Sequence, residues 1–289
     1  MASASATATF RSDTAETHRI DGATATFSYR RMGPTGDVPL VMCMRFKGTI
    51  DHWDPAFLQV LTDERDVITF DNTGIGSSSG TTPRTIGGMA DGALDFVDAL
   101  GLTTIDLLGW SLGGFVAQAA VLKRPGLVRR LVVAGSGPGR VPGMPPTPEK
   151  VLQIMAKPDT DDEDTLYLFF PETTAARAAG RTSLQRLDTR LRTSNAMLSA
   201  DAAQAQLTAV TTFGAGVWDQ LPELSMPVLV ANGAHDVMIN SVATYAMSQR
   251  LPNATILLYS DAGHGFLFQH YSEFGGQVVD FLGRPGATG

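Results

Sequence analysis

Ser111 lies in the stretch LLGWSLGGF, Leu107 to Phe115, where one hydroxyl stands among close-set glycines at the end of an apolar run. Gly109-Trp110-Ser111-Leu112-Gly113 fits G-x-S-x-G. In a strand-to-helix turn this pattern holds a nucleophilic serine in a strained conformation, with glycines where side chains would collide with strand and helix. The unpaired N–H groups and dipole of the following helix favour the negative charge that an attacked carbonyl develops. With 30 glycines in 289 residues the pattern is weak alone, and Gly76-Ser77-Ser78-Ser79-Gly80 fits it too. Ser78 stands in a polar run followed by threonines and proline, as in a flexible turn. Ser111 falls between a buried-type strand and a helix that opens with small residues, where an ordinary glycine-rich N-cap is the alternative reading.

A serine hydroxyl at its free pKa is a poor nucleophile and needs a base, which in turn needs an orienting acid. Five histidines are available. His18 lies in a first hairpin, His52 in a loop or helix start (GTIDHWDP), His235 beside Asp236, and His270 in a helical or loop stretch. His264 differs, because in DAGHGF its flanking Gly263 and Gly265 let a loop carry an imidazole over strand ends. Asp236, in GAHDV straight after MPVLVANG, supplies the acid. Ser111, Asp236 and His264 each follow their own buried-type strand, which is the edge where open α/β sheets bind ligands.

The elements that must hold these groups read as follows. HRIDGATATFSYR has the DG turn and alternating β-formers of a hairpin. PLVMCM, DVITFD, TIDLLG, VRRLVVAG, MPVLVANG and ATILLYSD are short, β-branched and apolar almost throughout, as suits strands buried on both faces. Helix-like segments fall between them, including Thr85 to Leu100, Ser111 to Lys123, Asn240 to Leu251 and Ser272 to Leu282. Alternating strands and helices predict an α/β fold, a mostly parallel sheet with helices on both faces. Residues 138–224 break the rhythm with proline-rich turns and helix-like stretches and are too long for a plain loop, so a helical cap is expected there. The expected division is a flexible N-terminus over 1–17, a core of 18–137 and 225–289, and the cap between.

A net charge of −7 and a pI near 5.2 lack the basic footprint of nucleic-acid binding, so no nucleic-acid partner is expected. One cysteine, Cys43 in PLVMCM, cannot form an intrachain disulfide and reads as a small core residue, in keeping with a reducing, cytoplasmic setting. The N-terminal stretch has no signal-peptide pattern, and no apolar run reaches the roughly 18 residues of a membrane span. The sequence leaves the oligomeric state open, with a homodimer as the self-assembly to test.

GWSLGG, ANGAHD and DAGHGF, with FDNTGIGSSS after the fourth strand, make the chain resemble the α/β-hydrolase superfamily from about Ile20 to Leu282. The resemblance implies Ser111 as nucleophile, His264 as general base and then acid, and Asp236 as its orienting carboxylate. It implies an oxyanion hole formed by the backbone N–H of Leu112 and of Phe46. The chain departs from the usual His-Gly-x after the third strand, where it has Met44-Arg45-Phe46. Arg45 then either places a cation near the oxyanion or holds Asp51 or another carboxylate. The family commonly has arginine at Thr73, and Asp71 and Asn72 are expected to stitch loops together.

The resulting expectation is a serine hydrolase of a carboxylic ester or lactone, with a medium-sized hydrophobic small molecule as substrate. Arg45, Trp110, Phe170 and Trp218 are the expected substrate contacts, although Leu166 to Phe170 and Trp218 read equally as the cap's own core. No organic cofactor or metal is implied, for no dinucleotide fingerprint or metal-ligand spacing occurs. The same triad also serves perhydrolases (non-haem haloperoxidases) and carbon-carbon bond hydrolases, and a non-catalytic ligand receptor is the third class to separate.

Overall fold

The structure is a computed structural model, and it describes residues 9–284 other than 195 and 197. Residues 1–8 of the expected flexible N-terminus lie outside the described residues. Within the remainder of that stretch, Arg11–Thr14 form a short helix, α1, with Ser12 buried. The Arg11 amide donates to Gln59 Oε1 at 2.9 Å, and Arg190 Nη1 donates to the Asp13 carbonyl at 2.8 Å. Both anchors are far away in sequence, so local composition gave no sign of them.

The DG turn joins β1 (His18–Asp21) to β2 (Thr26–Met32) as an antiparallel hairpin. Then follow β3 (Leu40–Cys43), a 3-10 turn at Ile50–His52, α2 (Pro55–Glu64), β4 (Val67–Phe70), α3 (Ile86–Ala99), β5 (Ile105–Trp110), α4 (Leu112–Lys123) and β6 (Val128–Ala134). Next come α5 (Glu149–Ala156), α6 (Asp162–Phe169), α7 (Thr174–Leu191), α8 (Ala200–Thr212) and a 3-10 turn at Trp218–Glu223. The chain ends with β7 (Val228–Gly233), α9 (Val242–Ser248), β8 (Ala254–Tyr259), α10 (Phe266–Gln269) and α11 (Tyr271–Gly283).

The eight strands form one sheet in the order β1-β2-β4-β3-β5-β6-β7-β8, antiparallel at the hairpin end and parallel from β4 through β8. The apolar runs of β3 to β7 are buried on both faces because successive side chains point to opposite sides, whereas β8, expected to be buried likewise, is an edge strand only partly covered, with Leu258 exposed. Val41, Leu107, Leu131 and Val230 face one core with Phe96 of α3 and Val116 of α4. Met42, Leu108, Val132 and Leu229 face the other with Phe57 and Leu61 of α2 and Phe274 and Phe281 of α11. This places the ends of β5, β7 and β8 at one edge of the sheet, with β6 between β5 and β7.

The helices between β6 and β7 are tied to that edge by buried polar contacts. Asp54, the N-cap of α2, accepts from Ser183 Oγ at 2.5 Å and from Arg186 Nε and Nη2 at 2.8 and 2.6 Å. The Phe169 carbonyl accepts from the Gly265 amide at 2.8 Å.

Candidate active site

Ser111 occupies the turn between β5 and α4 with φ 58° and ψ −123°, one of two non-glycine residues in the described chain at positive φ. A residue with a Cβ does not relax into this conformation unless its surroundings force it there. They do so through close packing. A Cβ on Gly113 would lie 2.0 Å from the Cys43 carbonyl oxygen, and one on Gly109 would lie 2.2 Å from the Gly113 oxygen. The turn is fastened from behind, where the Ser111 amide donates to the Ala134 carbonyl at 2.9 Å and the Ser136 hydroxyl donates to the Ser111 carbonyl at 2.7 Å. Ser111 Oγ makes no hydrogen bond to the described residues, and Ser111 opens on a cavity of about 40 Å³ that His264 also borders.

His264 and Asp236 form a fully buried pair, with Nδ1 2.7 Å from Oδ2. The carboxylate can only accept, so the proton sits on Nδ1 and Nε2 is left as the basic nitrogen. Asp236 is fixed in turn by the loop that follows it, since its Oδ1 accepts from the Met238 and Ile239 amides at 2.7 and 2.9 Å. His264 Nε2 is cut off from solvent and has no partner among the described residues. The structure therefore brings Ser111, Asp236 and His264 to one sheet edge, without a direct Ser111–His264 hydrogen bond. Contacts of this kind are commonly looser without substrate.

Phe46 and Leu112, the two expected oxyanion donors, follow β3 and β5 respectively. Neither amide has an acceptor among the described residues. The loop carrying Phe46 is held on both sides: the Gly48 amide donates to the Arg45 carbonyl at 3.1 Å, and the Lys47 amide donates to Gln206 Oε1 at 2.8 Å. Lys47 is the second positive-φ residue, at 56°. Behind the loop, Asp71 accepts from the Ile50 amide at 2.8 Å and from the Ser77 amide at 3.3 Å, and Asn72 Nδ2 donates to the Met89 carbonyl. Asp71 thus joins loops as expected, whereas Asn72 ties its loop to α3, and burial pushes the Asp71 carboxyl up to about 7. Burial likewise raises the Cys43 thiol to about 12, so it is a protonated core group.

The expected substrate contacts divide. Arg45 borders the Ser111 cavity, but not as the partner of Asp51: that carboxylate accepts from Arg30 Nη2 at 2.5 Å and Arg190 Nε at 3.2 Å. Arg45 Nη1 instead donates to the Phe46 carbonyl at 2.7 Å, and its guanidinium faces the Phe169 and Trp110 rings at 5.2 and 5.6 Å. Desolvation lowers its pKa to about 10, which leaves it a cation at neutral pH.

Trp110 is fully buried, and its indole N–H donates to the His264 carbonyl at 3.3 Å. It shares a core with Leu108, two residues back along β5, so it lies beneath His264 and offers no surface to a ligand. Trp218 lies away from the site, partly buried against the opposite core with Arg250 over its ring at 4.6 Å. Phe170 borders a separate chamber of about 170 Å³ on the far side of Arg45 and Phe169.

It is Phe169, with Leu168, Met155, Ile154 and Met238, that lines the Ser111 cavity. The Phe169 ring lies 5.5 Å from that of His264. Helical spacing could not choose between Phe169 and Phe170, because α6 ends between them. Met238 was signalled only by its place two residues after the acid.

Residues 38–271 match the family described as alpha/beta hydrolase fold. Among solved structures, an alpha/beta hydrolase fold protein from Chitinophaga pinensis is 34% identical and superposes with a TM-score of 0.88, covering 94% of this chain and 99% of that one. A protein from Caulobacter sp. (strain K31) named "Putative carbamate hydrolase RutD" is 26% identical over 264 residues, 88% of this chain and 94% of its own. A 2-hydroxy-6-oxononadienedioate/2-hydroxy-6-oxononatrienedioate hydrolase from Dechloromonas aromatica is 26% identical over 193 residues, 64% of each chain. The eight-stranded sheet, the strained turn after β5 and these likenesses lead to one assignment: the chain belongs to the alpha/beta hydrolase fold family and is a hydrolase.

Proposed function

We propose that the chain is a serine hydrolase that cleaves a carboxylic ester or lactone through an acyl-enzyme. The observation that carries this is the buried His264–Asp236 pair, whose free Nε2 borders the same cavity as the strained Ser111. Ser111 Oγ attacks the carbonyl carbon as its proton passes to His264 Nε2, and the Phe46 and Leu112 amides hold the oxyanion. The carbon–oxygen bond then breaks, and the departing alkoxide takes the proton from the imidazolium. In a lactone the alkoxide stays attached to the acyl group. Water gives its proton to Nε2 and attacks the acyl-enzyme, and the acid leaves as Ser111 is reprotonated. Asp236 supports the imidazolium at both steps, and losing one oxyanion donor typically costs about 3 kcal/mol of barrier. The helices between β6 and β7 act as the cap, with Phe169 and Leu168 closing the apolar side of the cavity.

The Dechloromonas relative is named for an oxo-dioate rather than an ester, which favours carbon-carbon bond hydrolysis on the same triad as the second reading. A fluorophosphonate probe with intact-mass detection, followed by hydrolysis of 4-nitrophenyl esters and lactones, tests the first. Labelling and turnover are expected in wild type, with both abolished in Ser111→Ala and turnover abolished in His264→Ala. Labelling that persists in Ser111→Ala overturns the assignment of the nucleophile. Labelling without ester or lactone turnover transfers the site to the second reading.

A further inference from the structure

Arg45 stands where two chambers meet. The smaller is the Ser111 and His264 cavity, the larger lies beside His52, Phe170 and Leu187, and Arg45, Thr160, Thr165 and Phe169 border both. The neighbouring arginines all have carboxylate partners: Arg30 and Arg190 hold Asp51, and Arg186 holds Asp54. Arg45 has none among the described residues. One of its donors reaches the Phe46 carbonyl, its Nε is shielded from solvent with no acceptor among the described residues, and its guanidinium faces the Phe169 and Trp110 rings.

No carboxylate among the described residues pairs with Arg45: Asp71, which borders a further small cavity with it, accepts instead from the Ile50 and Ser77 amides. No acidic side chain borders the smaller chamber, and the only one on the larger, Asp162, is exposed and makes no ion pair with Arg45. His52 is neutral, because its Nδ1 accepts from the Thr49 amide at 3.0 Å and burial lowers its pKa to about 3. Lys47 is occupied elsewhere, its Nζ donating to the Lys157 carbonyl. A guanidinium drawn out of water without a carboxylate is costly for a folded chain, and its planar fork of donors matches a carboxylate in shape and charge.

We propose that Arg45 docks a carboxylate carried by the substrate, so that the esters or lactones cleaved here are anionic, with the charged group on the Arg45 side of the scissile carbonyl. This rests on Ser111 being the nucleophile. Arg45 takes no part in bond making, and its role is to select the substrate and hold it in register.

Binding is measured first on Ser111→Ala, so that it does not depend on turnover, by calorimetric titration with adipate and with the neutral adipamide. Adipate is expected to bind about tenfold tighter or more, an advantage that disappears when Arg45→Met is added and partly survives with Arg45→Lys. Equal binding of the two ligands, or an adipate advantage retained in the Met variant, overturns the proposal.

Turnover is then compared between mono-4-nitrophenyl adipate and its uncharged isostere 4-nitrophenyl 6-methylheptanoate. The ratio of the two kcat/KM values is expected to fall about tenfold or more in Arg45→Met, through the KM of the anionic ester. A parallel fall for both esters makes Arg45 a loop-shaping residue and overturns the proposal. Should Arg45→Met not fold, Arg45→Lys decides: a weakened adipate preference upholds the proposal and an unchanged one overturns it. Arg45-dependent binding of adipate with neither ester cleaved upholds Arg45 and overturns the ester-hydrolase reading.

Discussion

The chain contains two serines in the same five-residue pattern, and the fold uses them in opposite ways. At Ser78 the glycines take the unusual backbone angles, with φ 55° at Gly76 and 92° at Gly80, and the serine hydroxyl is fully engaged. Ser78 Oγ accepts from the Ser28 amide at 2.9 Å and donates to the Asp71 carbonyl at 2.6 Å. At Ser111 the serine itself has φ 58°, the glycines serve close approach, and the hydroxyl is free of hydrogen bonds within the described chain. One turn places its strain where glycine absorbs it and uses its hydroxyl to pin strands. The other places strain on the reactive residue and leaves that hydroxyl available.

The largest expected effect separates the two hydroxyls directly. Ser111→Ala should lower kcat/KM for a cleaved ester by about 10⁴-fold or more with little change in melting temperature. Ser78→Ala should retain turnover and lose about 2 kcal/mol in urea unfolding, because the Ser28 amide loses its acceptor in a buried place. If Ser78→Ala loses turnover while its melting temperature holds, the contrast fails.

The glycines should differ in the same sense. Gly113→Ala drives a Cβ into the Cys43 carbonyl, backbone against backbone, and should cost about 3 kcal/mol or more, or prevent folding. Gly80→Ala meets only a methyl of Thr73, at 2.8 Å, and should cost about 1 kcal/mol for its positive φ. Chemical denaturation of the two variants checks the order. A smaller effect measures the strain at the nucleophile itself. Ser111→Gly should be about 1–2 kcal/mol more stable than Ser111→Ala, since only glycine relaxes there. Equal melting temperatures would remove strain from the account.

A pH-dependent effect concerns Asp71, which the Ser78 turn encloses. Its carboxyl, near 7 when folded and near 3.8 otherwise, keeps a proton in the folded chain that the unfolded chain has already lost over that interval. Its contribution to stability is full below about 3.8 and declines as pH rises to about 7, by at most about 1.4 kcal/mol per pH unit. The stability of wild type relative to Asp71→Asn should therefore fall as pH is raised from 4 to 7. A difference that is flat or of opposite slope would show that Asp71 is ionised throughout.

These contrasts also show what a linear sequence can convey. The sheet was legible because Val41 and Met42, or Leu107 and Leu108, must both be apolar when both faces are covered. Ser111, Asp236 and His264 were legible because each stands in the turn or loop that follows an apolar strand. What escaped depended on distant partners. Asp51 is nearer in sequence to Arg45 than to Arg30 or Arg190, yet it pairs with those two. Arg190 also anchors the stretch after Arg11 that composition marked as loose. Trp218 carried an aromatic signal and was spent on Arg250, while Phe169 and Phe170 were separated only by the end of a helix.

The Lys47–Gln206 contact has a consequence for turnover. Gln206 is on α8, 159 residues along the chain, and its side chain receives the amide of the residue next to the proposed oxyanion donor Phe46. Loss of that acceptor would slacken the loop that carries the proposed oxyanion donor. Turnover in the proposed reaction therefore depends on a residue of the segment between β6 and β7 as well as on the core strands.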